Sequence, residues 1–299
     1  MRSIILGALL GVFIPSTTVE AQSQHSRLAV DGDELFIEDV GSGHAVVMLH
    51  DGTLHSVIWK HQIDHLRSRW RVVAYDRRGY GRSTKPDTSY SNVEDLKRVL
   101  DHLGITRAVL VGASAGGRVA MEFAVQYPER VAGLVLVGAV IGGFDMVPEF
   151  VGLRWRLVEP LLTSDHKSLR NPLTAEAIDE TIRRYRDDPY IIAEQNVSAK
   201  AWFIGQLKGS FDNVLNPGRH IKWLDPPVSG RLGDIRAPTL IVVGEDDHPE
   251  LHAQAGALQW GIPDAKRVIV SSAGHLPHIE RPDVTNALIS QFLRERAAW

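Results

Sequence analysis

Gly112-Ala113-Ser114-Ala115-Gly116 stands where a buried strand runs out and a helix begins, and its reading decides the fold. Ahead of it Ala108-Val109-Leu110-Val111 is a short apolar run of strand type. Behind it Gly117-Arg118-Val119-Ala120-Met121-Glu122-Phe123-Ala124 carries helical periodicity. Small residues two before and two after the serine let the chain make a sharp, strained turn, which lifts the hydroxyl out of the sheet and aims the next amide alongside it. Ser114 is therefore the candidate nucleophile. A phosphate loop is disfavoured, because no Lys-Ser or Lys-Thr pair follows the glycines.

A serine hydroxyl is a poor nucleophile at neutral pH, so it needs a base, an acid to orient that base, and donors for a developing oxyanion. The strand Val268-Ile269-Val270 leads into Ser272-Ala273-Gly274-His275-Leu276-Pro277, where a glycine permits a tight turn just before a histidine. His275 is the candidate base; of the 13 histidines, His278 is its closest rival. His61 and His65 are four apart on an expected helix but lack the glutamate of a His-Glu-x-x-His zinc motif. The strand Pro238-Thr239-Leu240-Ile241-Val242-Val243 ends in Gly244-Glu245-Asp246-Asp247-His248-Pro249, which offers three acids in a row. Serine, then an acid near 247, then histidine is the chain order used on one particular scaffold.

These pieces together resemble the α/β-hydrolase superfamily over nearly the whole chain beyond its first 21 residues. The resemblance rests on His50-Asp51-Gly52 after the strand Val46-Val47-Met48-Leu49, on Tyr75-Asp76-Arg77-Arg78-Gly79-Tyr80-Gly81-Arg82-Ser83, and on the Ser114 turn. Tyr127-Pro128-Glu129-Arg130-Val131, the Gly244 to Asp247 loop and Ala273-Gly274-His275 complete it. It implies Ser114 as nucleophile, His275 as base, Asp247 as orienting acid, and the backbone N–H groups of Gly52 and Ala115 as the oxyanion hole. One departure stands out. The family has His-Gly where this chain has His50-Asp51, and a carboxylate aimed at an oxyanion would raise the barrier. The Asp51 side chain is therefore expected to turn away and hydrogen-bond locally.

At 299 residues, 44% hydrophobic and 23% charged, the chain can bury a large core without metal or disulfide staples, and it has no cysteine. A net charge of -3 gives no basic footprint for nucleic acid. Arg2, the uncharged apolar run Ile4 to Ile14 and Val19-Glu20-Ala21 read as a signal peptide, residues 1–21, cut after Ala21. The run is shorter than the roughly 20 residues a spanning helix needs, so the expectation is an exported protein, periplasmic or extracellular, with no lasting membrane anchor.

Segments around Asp31-Gly32-Asp33 predict an antiparallel hairpin. Strands near 45–49, 71–75, 107–111, 133–138, 239–243 and 266–270 then alternate with helices near 59–67, 92–103, 116–126, 250–260 and 283–296. That alternation predicts an α/β fold, a mostly parallel sheet with helices on both faces and the site at the carboxyl ends of its strands. Between Gly138 and Arg236 the alternation stops, and helical patterns at Thr174 to Arg186 and Ile191 to Phe203 predict a helical cap. The expected division is a core of 22–140 and 235–299 with the cap, 141–234, inserted in it. Trp155, Trp202, Phe203, Phe211 and Trp223 are candidates to line an apolar substrate pocket.

The resulting expectation is a secreted serine hydrolase that cleaves a small ester or lactone through an acyl-enzyme and requires no metal or organic cofactor. Related dehalogenases and epoxide hydrolases place an aspartate at the turn, which Ser114 argues against. Carbon–carbon bond hydrolases, perhydrolases and aminopeptidases remain alternatives, as does a non-catalytic ligand-binding relative, because fold alone does not fix substrate.

Overall fold

The apolar runs become strands of one eight-stranded sheet. The computed structural model describes residues 24–144, 175–210, 220–297 and 299. The proposed signal peptide and, of the pocket candidates, Trp155 and Phe211 lie outside the described residues. Strands β1 (Gln24–Val30) and β2 (Asp33–Val40) form the hairpin, and β2 runs antiparallel to β4 (Arg71–Tyr75). From β4 onward every pairing is parallel, through β3 (Ala45–Leu49), β5 (Ala108–Ala113), β6 (Val131–Val137), β7 (Thr239–Gly244) and β8 (Ala265–Val270).

Strands β3, β5, β6 and β7 are buried from end to end, which is why they read as unbroken apolar runs and not as alternating ones. Successive side chains still leave on opposite faces. Val46, Met48, Val109, Val111, Val135, Val137 and Val242 enter one core layer. Val47, Leu49, Leu110, Leu134, Leu136, Ile241 and Val243 enter the other. Helices α1 (Lys60–Leu66) and α8 (Pro282–Glu295) cover the first layer with Ile63, Leu66, Ile289 and Phe292. Helices α2 (Asn92–His102), α3 (Ala115–Gln126) and α6 (Pro249–Gly261) cover the second with Leu96, Leu100, Phe123 and Leu258. The start of α2 is written locally: the Ser91 side chain accepts the Glu94 N–H, and Glu94 and Asp95 place negative charge in the first turn.

Between β6 and β7 the chain leaves the sheet and forms α4 (Ala175–Asp187) and α5 (Val197–Gly209). The second of these corrects the sequence reading, which began a helix at Ile191. Residues 190–196 are held open by partners on other loops: Tyr190 C=O accepts the His275 N–H at 2.8 Å, the Ala193 N–H donates to Glu280 at 2.8 Å, and Asn196 Nδ2 donates to Ser272 C=O at 2.8 Å. Those bonds outweigh a local helical preference of a few tenths of a kcal/mol per residue. Among the described residues no helix is long and apolar enough to cross a membrane.

Candidate active site

Ser114 follows β5 and precedes α3 with φ 49° and ψ -116°. A non-glycine residue at positive φ costs on the order of 1–3 kcal/mol and persists only where its surroundings over-determine it. Here they do. The Ser114 N–H donates to Val137 C=O at 2.9 Å, while its C=O accepts from Gly117 at 3.0 Å and from Val140 at 3.2 Å. Gly116 completes the turn, because a side chain there would run into the carbonyls of Leu49 and His50. The first turn of α3 therefore lies directly on the loop that follows β3.

His275 sits in the loop after β8, with its side chain 15% exposed. Its Nδ1 lies 3.1 Å from Asp247 Oδ1 and 3.3 Å from Oδ2. A carboxylate can only accept, so Nδ1 carries the proton and donates it, which leaves the Nε2 lone pair available. Burial by itself pushes the His275 pKa down, but the adjacent Asp247 carboxylate, with help from Asp51 and Glu280, raises it above the ordinary histidine value. Asp247 is 3% exposed, and its Oδ1 also accepts the His248 N–H at 2.7 Å. Its neighbours have other partners, Glu245 accepting the Ser272 N–H and Asp246 accepting from Gln195.

Gly138 connects the two halves. Its φ is +50°, and a Cβ on it would stand 3.0 Å from His275 Nδ1. Since Val137, one residue earlier, holds the Ser114 N–H, the serine turn and the imidazole both pack against the same end of β6.

The loop after β3 supplies the third part. Asp51 turns its carboxylate into the loop, where Oδ1 accepts the N–H groups of Thr53 at 3.1 Å and Leu54 at 2.8 Å. The departure from His-Gly is thus absorbed by a local turn, as the sequence reading anticipated. Gly52 faces α3, its Cβ position 3.4 Å from the Ala115 Cβ. Among the described residues neither the Gly52 nor the Ala115 N–H has an acceptor. His50 is fully buried beneath them; the Arg77 N–H donates to its Nε2 at 2.9 Å, so Nδ1 bears the hydrogen and donates to Asp51 C=O at 2.8 Å. Burial first, and then Arg77, hold the His50 pKa well below the histidine range, so the ring stays neutral.

A family model described as the alpha/beta hydrolase family matches residues 46–288. The chain belongs to the α/β-hydrolase family. Curated relatives of this α/β hydrolase include the 2-hydroxy-6-oxo-6-phenylhexa-2,4-dienoate hydrolase of Comamonas testosteroni, 30% identical over 86% of this chain and 90% of the relative. Among solved structures it is similar to the N-acyl homoserine lactone degrading enzyme Est816, at 27% identity and a TM-score of 0.72, over 89% of this chain and all of that one. It is also similar to a thermophilic esterase from Thermogutta terrifontis, at 26% identity and a TM-score of 0.72, over 91% of this chain and 98% of that one.

Two residues of this α/β hydrolase's candidate site escaped the sequence reading. Glu280, on the short helix α7 (Pro277–Glu280), is 7% exposed. Its carboxylate accepts the N–H groups of Gly274 and Leu276 on either side of His275, and also those of Ala193 and the Asn196 side chain. Burial raises its pKa against the pull of those donors. Arg77, inside the Tyr75 to Ser83 motif, is the second. Its Nη2 donates to Asp51 C=O. Of the described pocket candidates, Phe203 is 1% exposed with its ring 6.1 Å from that of Tyr185, Trp202 is half-buried against the same layer, and Trp223 lies 3.6 Å beneath the Arg118 guanidinium.

Proposed function

We propose that this protein is a serine hydrolase that cleaves a carboxylic ester or lactone through an acyl-enzyme. One observation carries the reading. The Asp247-paired imidazole of His275 packs against Gly138, and the strained Ser114 turn is bonded to the residue before it, Val137. In the proposed cycle His275 Nε2 takes the Ser114 proton as Oγ attacks the carbonyl carbon. The Gly52 and Ala115 N–H groups receive the oxyanion, and His275 returns the proton to the departing alkoxide. Water, deprotonated by the same nitrogen, then attacks the acyl carbon, and collapse releases the acid and restores Ser114. Asp247 holds the imidazole in the required tautomer and stabilises the imidazolium as it forms.

The segment between β6 and β7 is read as a cap over this site, with boundaries near 141 and 234. The apolar leader of residues 1–21 supports export, and the mass of the mature amino terminus from a secreting host tests it. The solved lactone-degrading and esterase relatives support the ester or lactone substrate class. The dienoate hydrolase relative favours a second reading, hydrolysis of a carbon–carbon bond next to a ketone by the same three side chains. Turnover of purified protein on aryl esters, lactones and a conjugated oxo-dienoate separates the two. A fluorophosphonate probe should label the wild type and not Ser114→Ala, and that variant should stay folded while losing essentially all turnover. Undiminished hydrolysis by Ser114→Ala refutes a serine mechanism on either substrate class.

A further inference from the structure

Arg77 is a buried cation without a buried anion. It is 1% exposed, and among the described residues it has no carboxylate within ion-pairing distance. Its Nη2 donates to Asp51 C=O at 2.5 Å, its Nε has no acceptor, and its guanidinium carbon lies 4.8 Å from the centre of the Tyr80 ring. The next residue shows the contrast. Arg78 is as deeply buried, but Asp95 and Asp33 neutralise it at 2.7 and 2.9 Å. Asp76, on the other side, commits its carboxylate to the Ser56 N–H and to Arg82. A buried charge with no counter-charge costs several kcal/mol, so its retention calls for an explanation in the place where it sits. That place is directly behind the Asp51–Gly52 peptide.

We propose that Arg77 is a positioning residue that acts through the Asp51–Gly52 peptide to aim and strengthen the Gly52 N–H as an oxyanion donor. The inference rests on the serine hydrolase reading. In a trans peptide the C=O and the following N–H point in opposite directions. Two donors, Arg77 Nη2 and His50 Nδ1, fix the Asp51 carbonyl on the inner side of the loop, so the Gly52 N–H is turned toward the Ala115 side. A charged donor on the carbonyl also polarises the amide, drawing electron density toward oxygen and leaving the N–H more positive. Arg77 contributes a second time through its own backbone, since its N–H into His50 Nε2 sets the tautomer in which Nδ1 can donate to that carbonyl. The positive charge thereby reaches a tetrahedral oxyanion without touching it. Negative charge is concentrated on that oxygen in the transition state, so the gain belongs to turnover and not to ground-state binding.

The test uses p-nitrophenyl acetate turnover, normalised to the fluorophosphonate-titrated fraction of active protein. Its variants are Arg77→Met and Arg77→Lys, the lysine keeping the charge. Removing a direct oxyanion donor costs about 10²–10³ in kcat. Arg77→Met, which weakens a donor indirectly, should lose roughly ten- to a hundredfold in kcat with KM within about threefold. Arg77→Lys should recover a substantial part of that loss. A trifluoromethyl ketone, which forms a tetrahedral adduct, should bind the Met variant more weakly by about the factor lost in kcat, while acetate inhibition stays unchanged. Where Arg77→Met does not fold, Arg77→Gln with the same two inhibitors replaces it. If kcat stays within twofold, or if ketone and acetate weaken equally, the inference is overturned. A wild type that is neither labelled nor active overturns the serine reading and this inference with it. A labelled, active wild type matched by Arg77→Met overturns the inference alone.

Discussion

His275 and His278 lie three residues apart and have pKa values displaced in opposite directions, so acid should inactivate and destabilise the protein through different groups. His278 is fully buried, its ring centre lies 4.4 Å from that of Trp59, and neither ring nitrogen has a partner among the described residues. Burial, together with the nearby His275 and His61, lowers its pKa to about 3. In the unfolded chain it titrates near the ordinary value of about 6.5. Between those two values the unfolded state binds the extra proton, so stability falls as pH drops through 6.5 and keeps falling toward 3. At pH 5 the difference from neutral pH is about 1.36 × 1.5, or roughly 2 kcal/mol, from this one side chain. His278→Phe keeps an aromatic ring against Trp59 and has no proton to gain. Urea unfolding of both proteins from pH 7.5 to 5 should show the wild type losing roughly 2 kcal/mol more than the variant. All other titrating groups are common to the two and cancel in the comparison. Parallel stability–pH curves would refute the argument, because they would mean that His278 is equally easy to protonate folded and unfolded.

Asp247→Asn should lose turnover on the scale of the roughly 10⁴-fold seen for the equivalent change in a serine protease, while Asp246→Asn and Glu245→Gln stay within about tenfold; steady-state kinetics of the three variants decide it. The acid limb of kcat/KM should lie above the ordinary histidine value of about 6.5, because His275 must be neutral to act and its pKa is raised despite burial. Glu280→Gln removes one of the charges that raises it, so that limb should move to lower pH, with kcat reduced by disturbed amide contacts around His275; an unmoved limb in the pH profile would contradict the electrostatic part.

The sheet was legible because its inner strands are buried on both faces, and a run such as Val46-Val47-Met48-Leu49 can satisfy that environment with apolar residues alone. Ser114 and the His275 loop were legible for a related reason: each needs small residues at fixed offsets from a strand end. The contacts around them were not. Glu245, Asp246 and Asp247 are adjacent and chemically alike, yet the backbone sends them to Ser272, Gln195 and His275. Glu280 meets Ala193 across 87 residues, and nothing local to either marks the pairing. The same long-range bonds explain the misplaced start of α5, since the Ile191 to Asn196 pattern is helical only for a chain with no other partners. Arg77 and Arg78 form a similar case: two identical neighbours, one neutralised by carboxylates and one directed at a carbonyl.

The carboxylate of Glu280 also sets a rule for recombining this chain with others. Anyone transplanting a foreign segment between β6 and β7 must choose a downstream seam, and the natural-looking choice at the end of α4 falls just ahead of Tyr190. A graft extending past that seam replaces the Tyr190 carbonyl, the Ala193 amide and the Asn196 side chain, and so removes in one cut the outer contacts of the loop that carries His275. Chimeras that retain residues 190–196 from this parent keep the histidine supported; those that import the stretch need a matching acceptor for His275 and matching donors for Glu280 from the new sequence.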